Sequence, residues 1–151
     1  MGVFIVYGLI GAVLGEKGRQ VHSIAPDSTV RAAVRSMNEA GIGALLVLNR
    51  AEVRGIFTER DVLRRVVDAG RDPNTTRVKD VMTYDFVVVE TSTRIEDAMA
   101  LMTAHRCRHL PVMDGDQLVG MVSIGDLNRW VSLNLQNDVQ KLTEYITGPV
   151  G

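Results

Sequence analysis

Two aspartates of this chain each follow a hydroxyl residue by three positions, at the end of a short apolar run. Thr58 precedes Asp61 and Ser123 precedes Asp126, and both pairs fit the pattern G-h-h-[TS]-x-x-D, in which h is hydrophobic. A hydroxyl with a carboxylate three residues later is typical of a helix N-terminus, where both side chains satisfy backbone N–H groups. The same helix end attracts phosphates, and a carboxylate can accept two hydrogen bonds from a sugar diol. The pattern alone leaves helix capping and nucleotide binding both open.

These two segments belong to an internal duplication. A shift of 65 residues aligns positions 24–66 on positions 89–131 without a gap. Identities at this shift include Ala33 with Ala98, Met37 with Met102, Leu45 with Leu110, Val47 with Val112, Gly55 with Gly120, and Arg64 with Arg129. A repeat of this kind indicates that each copy is one supersecondary unit that stacks on the other to bury a common core.

Each copy has the periodicity of a helix, a strand hairpin and a second helix. In the first copy, apolar residues of the segment 30–37 recur at the spacing of an amphipathic helix. Short apolar runs at 44–48 and 110–113 predict buried strands, followed by second strands at 53–57 and 117–122. Because such a unit cannot bury both faces of its sheet alone, we predict an α/β (α+β) fold with two copies packed sheet to sheet.

Composition limits the classes of function. The chain has 151 residues, 46% of them hydrophobic, with 17 basic and 18 acidic residues and a net charge of −1. This balance argues against broad electrostatic binding to nucleic acid, which requires a concentrated positive surface. A single cysteine, Cys107, excludes an internal disulfide and a cysteine-rich zinc site, and it indicates a reducing compartment.

The two ends of the chain carry apolar segments of their own. Residues 3–14 contain no charge, but they are fewer than the roughly 20 needed to span a bilayer, and no basic residue precedes them as in a signal peptide. We expect this segment to be buried or packed in a dimer, with a membrane-associated or misassigned start as the alternative. Near the other end, one apolar helix face is predicted from Leu135, Val139, Leu142, Tyr145 and Ile146.

The tandem units, the doubled G-h-h-[TS]-x-x-D element and the segment Val81-Met82-Thr83 at the start of copy two resemble the cystathionine-β-synthase (CBS) domain pair, or Bateman module. The resemblance covers residues 16–132. It implies two pseudo-symmetric β-α-β-β-α repeats in a free-standing single-pair protein that binds adenosine-containing ligands in two clefts between the repeats. We therefore divide the chain into an apolar segment 1–15, repeats 16–71 and 78–133, and a C-terminal helix and tail 134–151.

Position by position, the resemblance also assigns site residues. Asp61 and Asp126 match the aspartates that bind ribose, and Thr58 and Ser123 match the hydroxyls that contact sugar or phosphate. Each cleft combines the aspartate of one copy with the opening strand of the other. The Asp61 cleft is therefore expected to include Thr83, Val87 and Cys107, and the Asp126 cleft His22, Ile42 and Gly43.

Basic residues distinguish the two copies. Copy two has Arg106, Arg108 and His109 where copy one has Gly41, Gly43 and Ala44, while copy one has Arg60 where copy two has Gly125. Guanidinium groups suit phosphate oxygens, so we predict a phosphorylated ligand if these residues line the central groove; solvated surface charges are the alternative. Two unequal clefts would also suit two different ligands, such as NAD(H) beside AMP.

We therefore predict a cytoplasmic regulatory module that binds AMP, ADP, ATP or NAD(H), forms a homodimer, and signals to an unidentified protein. It is expected to bind neither nucleic acid nor membrane and to have no catalytic cofactor. The three histidines lack a metal-ligand spacing, and no third group is evident to activate Cys107 as a nucleophile. The alternatives are a structural dimerisation module without a nucleotide and, less favoured, a small enzyme that uses Asp61 or Asp126 as acid or base.

Overall fold

A computed structural model describes residues 7–147. Each repeat has a short strand, a helix and a hairpin that runs directly into a second helix. The elements are α1 (Ile10–Lys17), β1 (Ser23–Ile24), α2 (Val30–Ala40), β2 (Ala44–Asn49), β3 (Glu52–Thr58), α3 (an α-helical turn Glu59–Asp61 continued by the π-helical segment Val62–Val67), α4 (Val78–Val81), β4 (Val89–Glu90), α5 (Ile95–His105), β5 (His109–Asp114), β6 (Gln117–Ser123) and α6 (Ile124–Thr147).

The strands form two three-stranded sheets with the same topology. β1 pairs parallel with β2, and β2 pairs antiparallel with β3; β4, β5 and β6 repeat this order. The register is also repeated, because Val47 lies opposite Gly55 just as Val112 lies opposite Gly120, and an irregularity follows both pairs. The duplication read from the sequence is therefore a duplication of structure.

Both faces of the strand β2 are buried. Leu45 and Val47 point into a core that includes residues of α2, α3 and α4. Ala44 and Leu46 point the other way, into a cluster that also contains Leu118 and Met121 of β6. This second cluster joins the two repeats through their sheets. The predicted α/β (α+β) class with sheet-to-sheet packing is confirmed.

Helix α1 belongs to the core of the second repeat. Ile10, Val13 and Leu14 are buried there with residues of α5, β5 and α6. The backbone carbonyl of Tyr7 accepts hydrogen bonds from Trp130 Nε1 (2.7 Å) and from the side-chain amide of Asn134. Positions 3–6 of the uncharged segment lie outside the described residues. No helix within residues 7–147 is both long and apolar enough to cross a bilayer.

Two details of the helices differ from expectation. The predicted second helix of repeat one continues as a π-helical segment, which leaves the apolar side chains of Leu63 and Val67 about two-thirds exposed, at 64% and 65%. The hydrogen bond from the Asp68 N–H to the Leu63 carbonyl spans five residues, which widens the turn and rotates side chains away from their α-helical positions. In repeat two, the corresponding helix and the closing helix are one continuous helix, α6.

Candidate functional site

The turn from β3 into α3 is closed by a capping box. The Asp61 N–H donates to Thr58 Oγ1 (3.2 Å), while Asp61 Oδ2 accepts from the Thr58 N–H (3.0 Å) and from the Thr58 hydroxyl (3.2 Å). The capping interpretation of the sequence pattern is therefore correct. It does not exclude a ligand, because each carboxylate oxygen has two lone pairs and the box does not use them all.

The opening segment of repeat two reaches the same carboxylate. Thr83 Oγ1 donates to Asp61 Oδ1 (3.1 Å), and the backbone of Thr83 pairs with that of Ile56 through two hydrogen bonds of 2.9 Å. This close approach requires glycine at position 55, where a Cβ atom would lie 2.7 Å from both Met82 Sδ and the Thr83 carbonyl oxygen. Residues of both repeats thus meet at Asp61.

Beside Asp61 lies a cavity of about 370 Å³, at the small end of the range for ligand pockets. Five arginines and three carboxylates line it, which is a formal surplus of two positive charges before the histidines are counted. Within residues 7–147, Arg60, Arg64, Arg106 and Arg108 take part in no salt bridge. Their guanidinium groups are therefore available to an anionic ligand. The lining residues are Gly43, Ile56, Thr58, Glu59, Arg60, Asp61, Arg64, Arg65, Thr83, Asp85, Phe86, Val87, His105, Arg106, Cys107, Arg108 and His109.

Ten of the fourteen predicted site residues line this cavity. They are Thr58, Arg60, Asp61, Thr83, Val87, Arg106, Cys107, Arg108 and His109, together with Gly43, which had been assigned to the Asp126 cleft. Of the other four, Ile42 packs against the core of the first repeat and the His22 carbonyl accepts from the Leu46 N–H. Ser123 and Asp126 form a separate pair at the start of α6.

Arg106 is held at the rim of the cavity by the end of α5. It is the C-terminal cap of that helix and has a left-handed backbone, with φ of 52° and ψ of 42°. The aligned residue in repeat one is Gly41, which has φ of 65°. Arg106 therefore occupies a conformation that glycine adopts more readily.

Two arginines of the cavity lie outside the residues that the sequence patterns predict for the site. Arg64 and Arg65 follow Asp61 by three and four residues, so helical periodicity would have placed them on its side of α3. Arg65 also donates to the Met82 carbonyl (2.7 Å) and lies 3.8 Å from Asp61 Oδ1. It therefore stabilises the junction of the two repeats.

Asp126 has a different partner from Asp61. Its Oδ2 accepts from the Ser123 N–H (2.8 Å) and from Lys17 Nζ (2.5 Å), and Lys17 Nζ also donates to the Met121 carbonyl (2.7 Å). Burial alone would raise the pKa of Asp126, but the bonds from Lys17 and Ser123 outweigh it and hold the pKa below its usual value. Asp126 is therefore an ion-paired carboxylate at neutral pH.

Two titratable groups that line the cavity beside Asp61 also have shifted pKa values. Burial raises the pKa of the Cys107 thiol, so this side chain is a neutral thiol at pH 7 and a poor nucleophile. Burial lowers the pKa of His109, and the Lys17 ammonium adds to that effect. Among the described residues, no group of three or more His, Cys, Asp or Glu side chains could hold a metal ion.

Two repeats of this topology, joined through their sheets, with a basic cavity at the junction, define a pair of CBS domains. The CBS-domain family model matches residues 17–68 and 78–133, and the chain belongs to this family. Proteins of this class are typically regulatory modules.

Individual relatives support the assignment. The CBS domain-containing protein CBSX3 of Arabidopsis thaliana is 38% identical over 148 residues, which cover 92% of this chain and 72% of the relative. Because its name describes it as mitochondrial, the cytoplasmic location stays a prediction here. The crystal structure of the CBS domain NE2398 is 40% identical, with a TM-score of 0.77, and covers 80% of this chain and 94% of that one.

A more distant structure contains a nucleotide. CBS domain protein PAE2072 of Pyrobaculum aerophilum, complexed with AMP, has a TM-score of 0.69 at 22% identity. The match covers 78% of this chain and 88% of that one. At this identity the likeness shows the fold alone.

The lowered pKa of His109 predicts a pH-dependent loss of stability. Below pH about 6.5 the unfolded chain binds a proton that the partly buried His109 of the folded chain resists, so the free energy of unfolding decreases as the pH falls toward the folded-state pKa. Of the charges near His109, Lys17 and Arg108 strengthen this resistance, while Asp126 and Glu59 oppose it. His109→Gln should lose less stability than the wild type between pH 7.5 and pH 5.5, as measured by urea unfolding.

His105→Gln is the control for this experiment, because it removes an exposed imidazole at the rim of the same cavity. It should keep the wild-type dependence on pH. Equal slopes for the wild type and His109→Gln would contradict the prediction.

Proposed function

We propose that this chain senses a phosphorylated, adenosine-containing nucleotide and that the Asp61 cavity is its principal site. The observation that carries this proposal is one cavity in which a shared carboxylate lies beside four arginines that form no salt bridge with any residue of 7–147. A ribose diol would donate hydrogen bonds to the Asp61 carboxylate, which already accepts hydrogen bonds from the hydroxyls of Thr58 and Thr83. The AMP complex of the distant relative is consistent with this ligand class.

The other parts of a nucleotide have matching surfaces in the cavity. Phosphates would lie against Arg60, Arg106 and Arg108, whose charges no carboxylate of residues 7–147 neutralises in a salt bridge. Adenine would pack on apolar lining residues such as Val87 and Ile56. AMP, ADP, ATP and NAD(H) share these features. The ligand is therefore identified by measuring the binding of each of them.

Signalling would follow from the position of the cavity between the repeats. Thr58 and Asp61 belong to the first repeat, whereas Thr83 and Arg106 belong to the second, so one ligand would contact both. A ligand that binds one arrangement of the repeats more tightly shifts the population toward it. A partner protein would detect that shift. The neutral thiol of Cys107 favours such binding over a reaction with the ligand.

Replacing Asp61 tests the proposed site. Calorimetric titration of nucleotide-free protein with AMP, ADP, ATP, NAD⁺ and NADH should show binding of at least one of them. Asp61→Asn keeps a side-chain oxygen for the capping box but loses the charge, so its affinity for that nucleotide should fall about 10- to 100-fold. Asp116→Asn, an exposed change on the β5–β6 hairpin, is the control and should bind like the wild type. Absence of binding by all five nucleotides would refute the proposal.

A pair of arginine variants tests the role of the basic cluster. Arg106 and Arg50 both have positive φ, and glycine occupies both aligned positions, 41 and 115. Arg106→Gly and Arg50→Gly should each stabilise the protein by about 1 kcal/mol, or roughly 2–4 °C in Tm. Only Arg106→Gly should weaken AMP binding, by about tenfold, while adenosine binding stays unchanged. An equal loss for AMP and adenosine would show that Arg106 does not contact phosphate.

We also propose that the chain forms a homodimer through α6. Leu135, Val139, Leu142 and Ile146 are exposed and repeat at the four- and three-residue spacing of helix pairing. The side chain of Tyr145, also predicted on this face, lies outside the described residues. A symmetric pair would cover the stripe with the same stripe of a second copy. This association is also what the structural alternative, dimerisation without a nucleotide, would require.

Sedimentation velocity tests the dimer. Leu142→Glu should convert the protein to a monomer at micromolar concentration, because a carboxylate would be buried without a partner. Leu63→Glu is the matched control, since Leu63 is similarly exposed on α3, at 64% compared with 61%, and this variant should stay dimeric. A monomeric wild-type protein would rule the dimer out.

A further inference from the structure

The two aspartates are equivalent by sequence but not by contact. The 65-residue shift that aligns Asp61 with Asp126 also aligns Ile56 with Met121 and Met82 with Lys17. In the first cleft, Thr83, which follows Met82, contacts both Asp61 and the strand β3. In the second cleft, the lysine itself makes both contacts.

The substitution is atom for atom. The Ile56 carbonyl accepts from the Thr83 N–H (2.9 Å), and Asp61 Oδ1 accepts from the Thr83 hydroxyl (3.1 Å). The Met121 carbonyl and Asp126 Oδ2 instead both accept from Lys17 Nζ, at 2.7 and 2.5 Å. One ammonium thus takes the place of a backbone amide and a hydroxyl.

This exchange changes what a ligand would encounter. Asp61 bonds to neutral hydroxyls that can rotate, and the nearest cation is Arg65 at 3.8 Å. Asp126 is instead paired directly with a cation, the Lys17 ammonium. A sugar diol would have to displace the Lys17 ammonium from Asp126. This displacement is unfavourable, because a neutral hydroxyl is a weaker hydrogen-bond donor to a carboxylate than a charged ammonium.

Lys17 is held in place by the fold. It is the last residue of α1, whose Ile10, Val13 and Leu14 are buried in the second core. At the other end of the helix, Trp130 and Asn134 bind the preceding Tyr7 carbonyl. Leu14 also fills the space over Gly120, where a Cβ atom would lie 2.8 Å from Leu14 Cδ2. The ammonium is therefore presented by a docked helix rather than by a free side chain.

We propose that Lys17 is a built-in occupant of the Asp126 cleft, so that each chain binds one nucleotide, in the Asp61 cleft. This inference rests on the proposed function, because it assigns the ligand to one of the two aspartates. Removing the ammonium should open a second site, and Lys17→Met is the natural change, since methionine occupies the aligned position 82.

The test is the number of nucleotides bound per chain. Calorimetric titration with AMP, ATP and NAD⁺ should give one site for the wild type and two for Lys17→Met. Asp61→Asn should weaken the wild-type site about 10- to 100-fold, and the double variant Lys17→Met/Asp61→Asn should bind one nucleotide with unweakened affinity, at the second cleft. Lys79→Met is the matched control, because it removes another lysine–aspartate pair, Lys79 with Asp27, away from both clefts. It should keep one site.

Each outcome is decisive. Two equivalent sites in the wild type, or one site in a folded Lys17→Met protein, would overturn the inference and leave the proposed function intact. Binding by Lys17→Met but not by the wild type would support the occupancy of the Asp126 cleft by Lys17. It would refute the assignment of a nucleotide to the Asp61 cleft. Absence of binding by every variant would refute both. If Lys17→Met does not unfold cooperatively, Lys17→Gln makes the same comparison with a polar side chain.

Discussion

The fold depends on one constraint, which is that each three-stranded sheet is apolar on both faces. Residues 44–47 are all buried, two of them under the helices of their own repeat and two against the other sheet. A single repeat would expose the second face to water, at a cost of roughly 25 cal/mol for each Å² of apolar surface. Two repeats must therefore stack. The ends of β3 and β6, where each strand runs into a helix, are then brought to the junction between the repeats.

That junction explains why the capping residues are also the residues proposed to bind a ligand. A helix that begins directly after a strand leaves several N–H groups without helical partners, and Thr58 with Asp61 satisfies two of them. The same carboxylate faces the opening segment of the other repeat through Thr83. A group required for local stability is therefore also the carboxylate at which the two repeats meet. For this reason the capping and nucleotide-binding interpretations of the pattern do not compete.

The sequence predicts those features that depend on periodicity and local chemistry. The short apolar runs at 44–48 and 110–113, the duplication and the repeated T/S-x-x-D pattern were sufficient for the strands, the sheet-to-sheet packing and the capping box. The exposure of Leu63 was not predictable, because helical periodicity assumes α-helical turns whereas the hydrogen bonds of this segment span five residues. Nor was the contact of Lys17, because its aligned residue is methionine and the ion pair arises only when α1 docks on the second repeat. Such contacts depend on how distant segments pack in the folded chain, and the apolar periodicity of the sequence does not predict that packing.

Duplication supplies a symmetric frame, and a few substitutions remove the symmetry. Arg60, Arg106 and Arg108 each align with a glycine of the other copy, yet all three line the same cavity because each cleft combines elements of both repeats. Their charges accumulate on one side of the junction, where no carboxylate of residues 7–147 forms a salt bridge with them, whereas on the other side Lys17 is paired with Asp126. His109 lies between the two, since it lines the Asp61 cavity and its pKa responds to Lys17 and Asp126. This partly buried imidazole therefore lines the cavity beside one aspartate and lies within the electrostatic influence of the other.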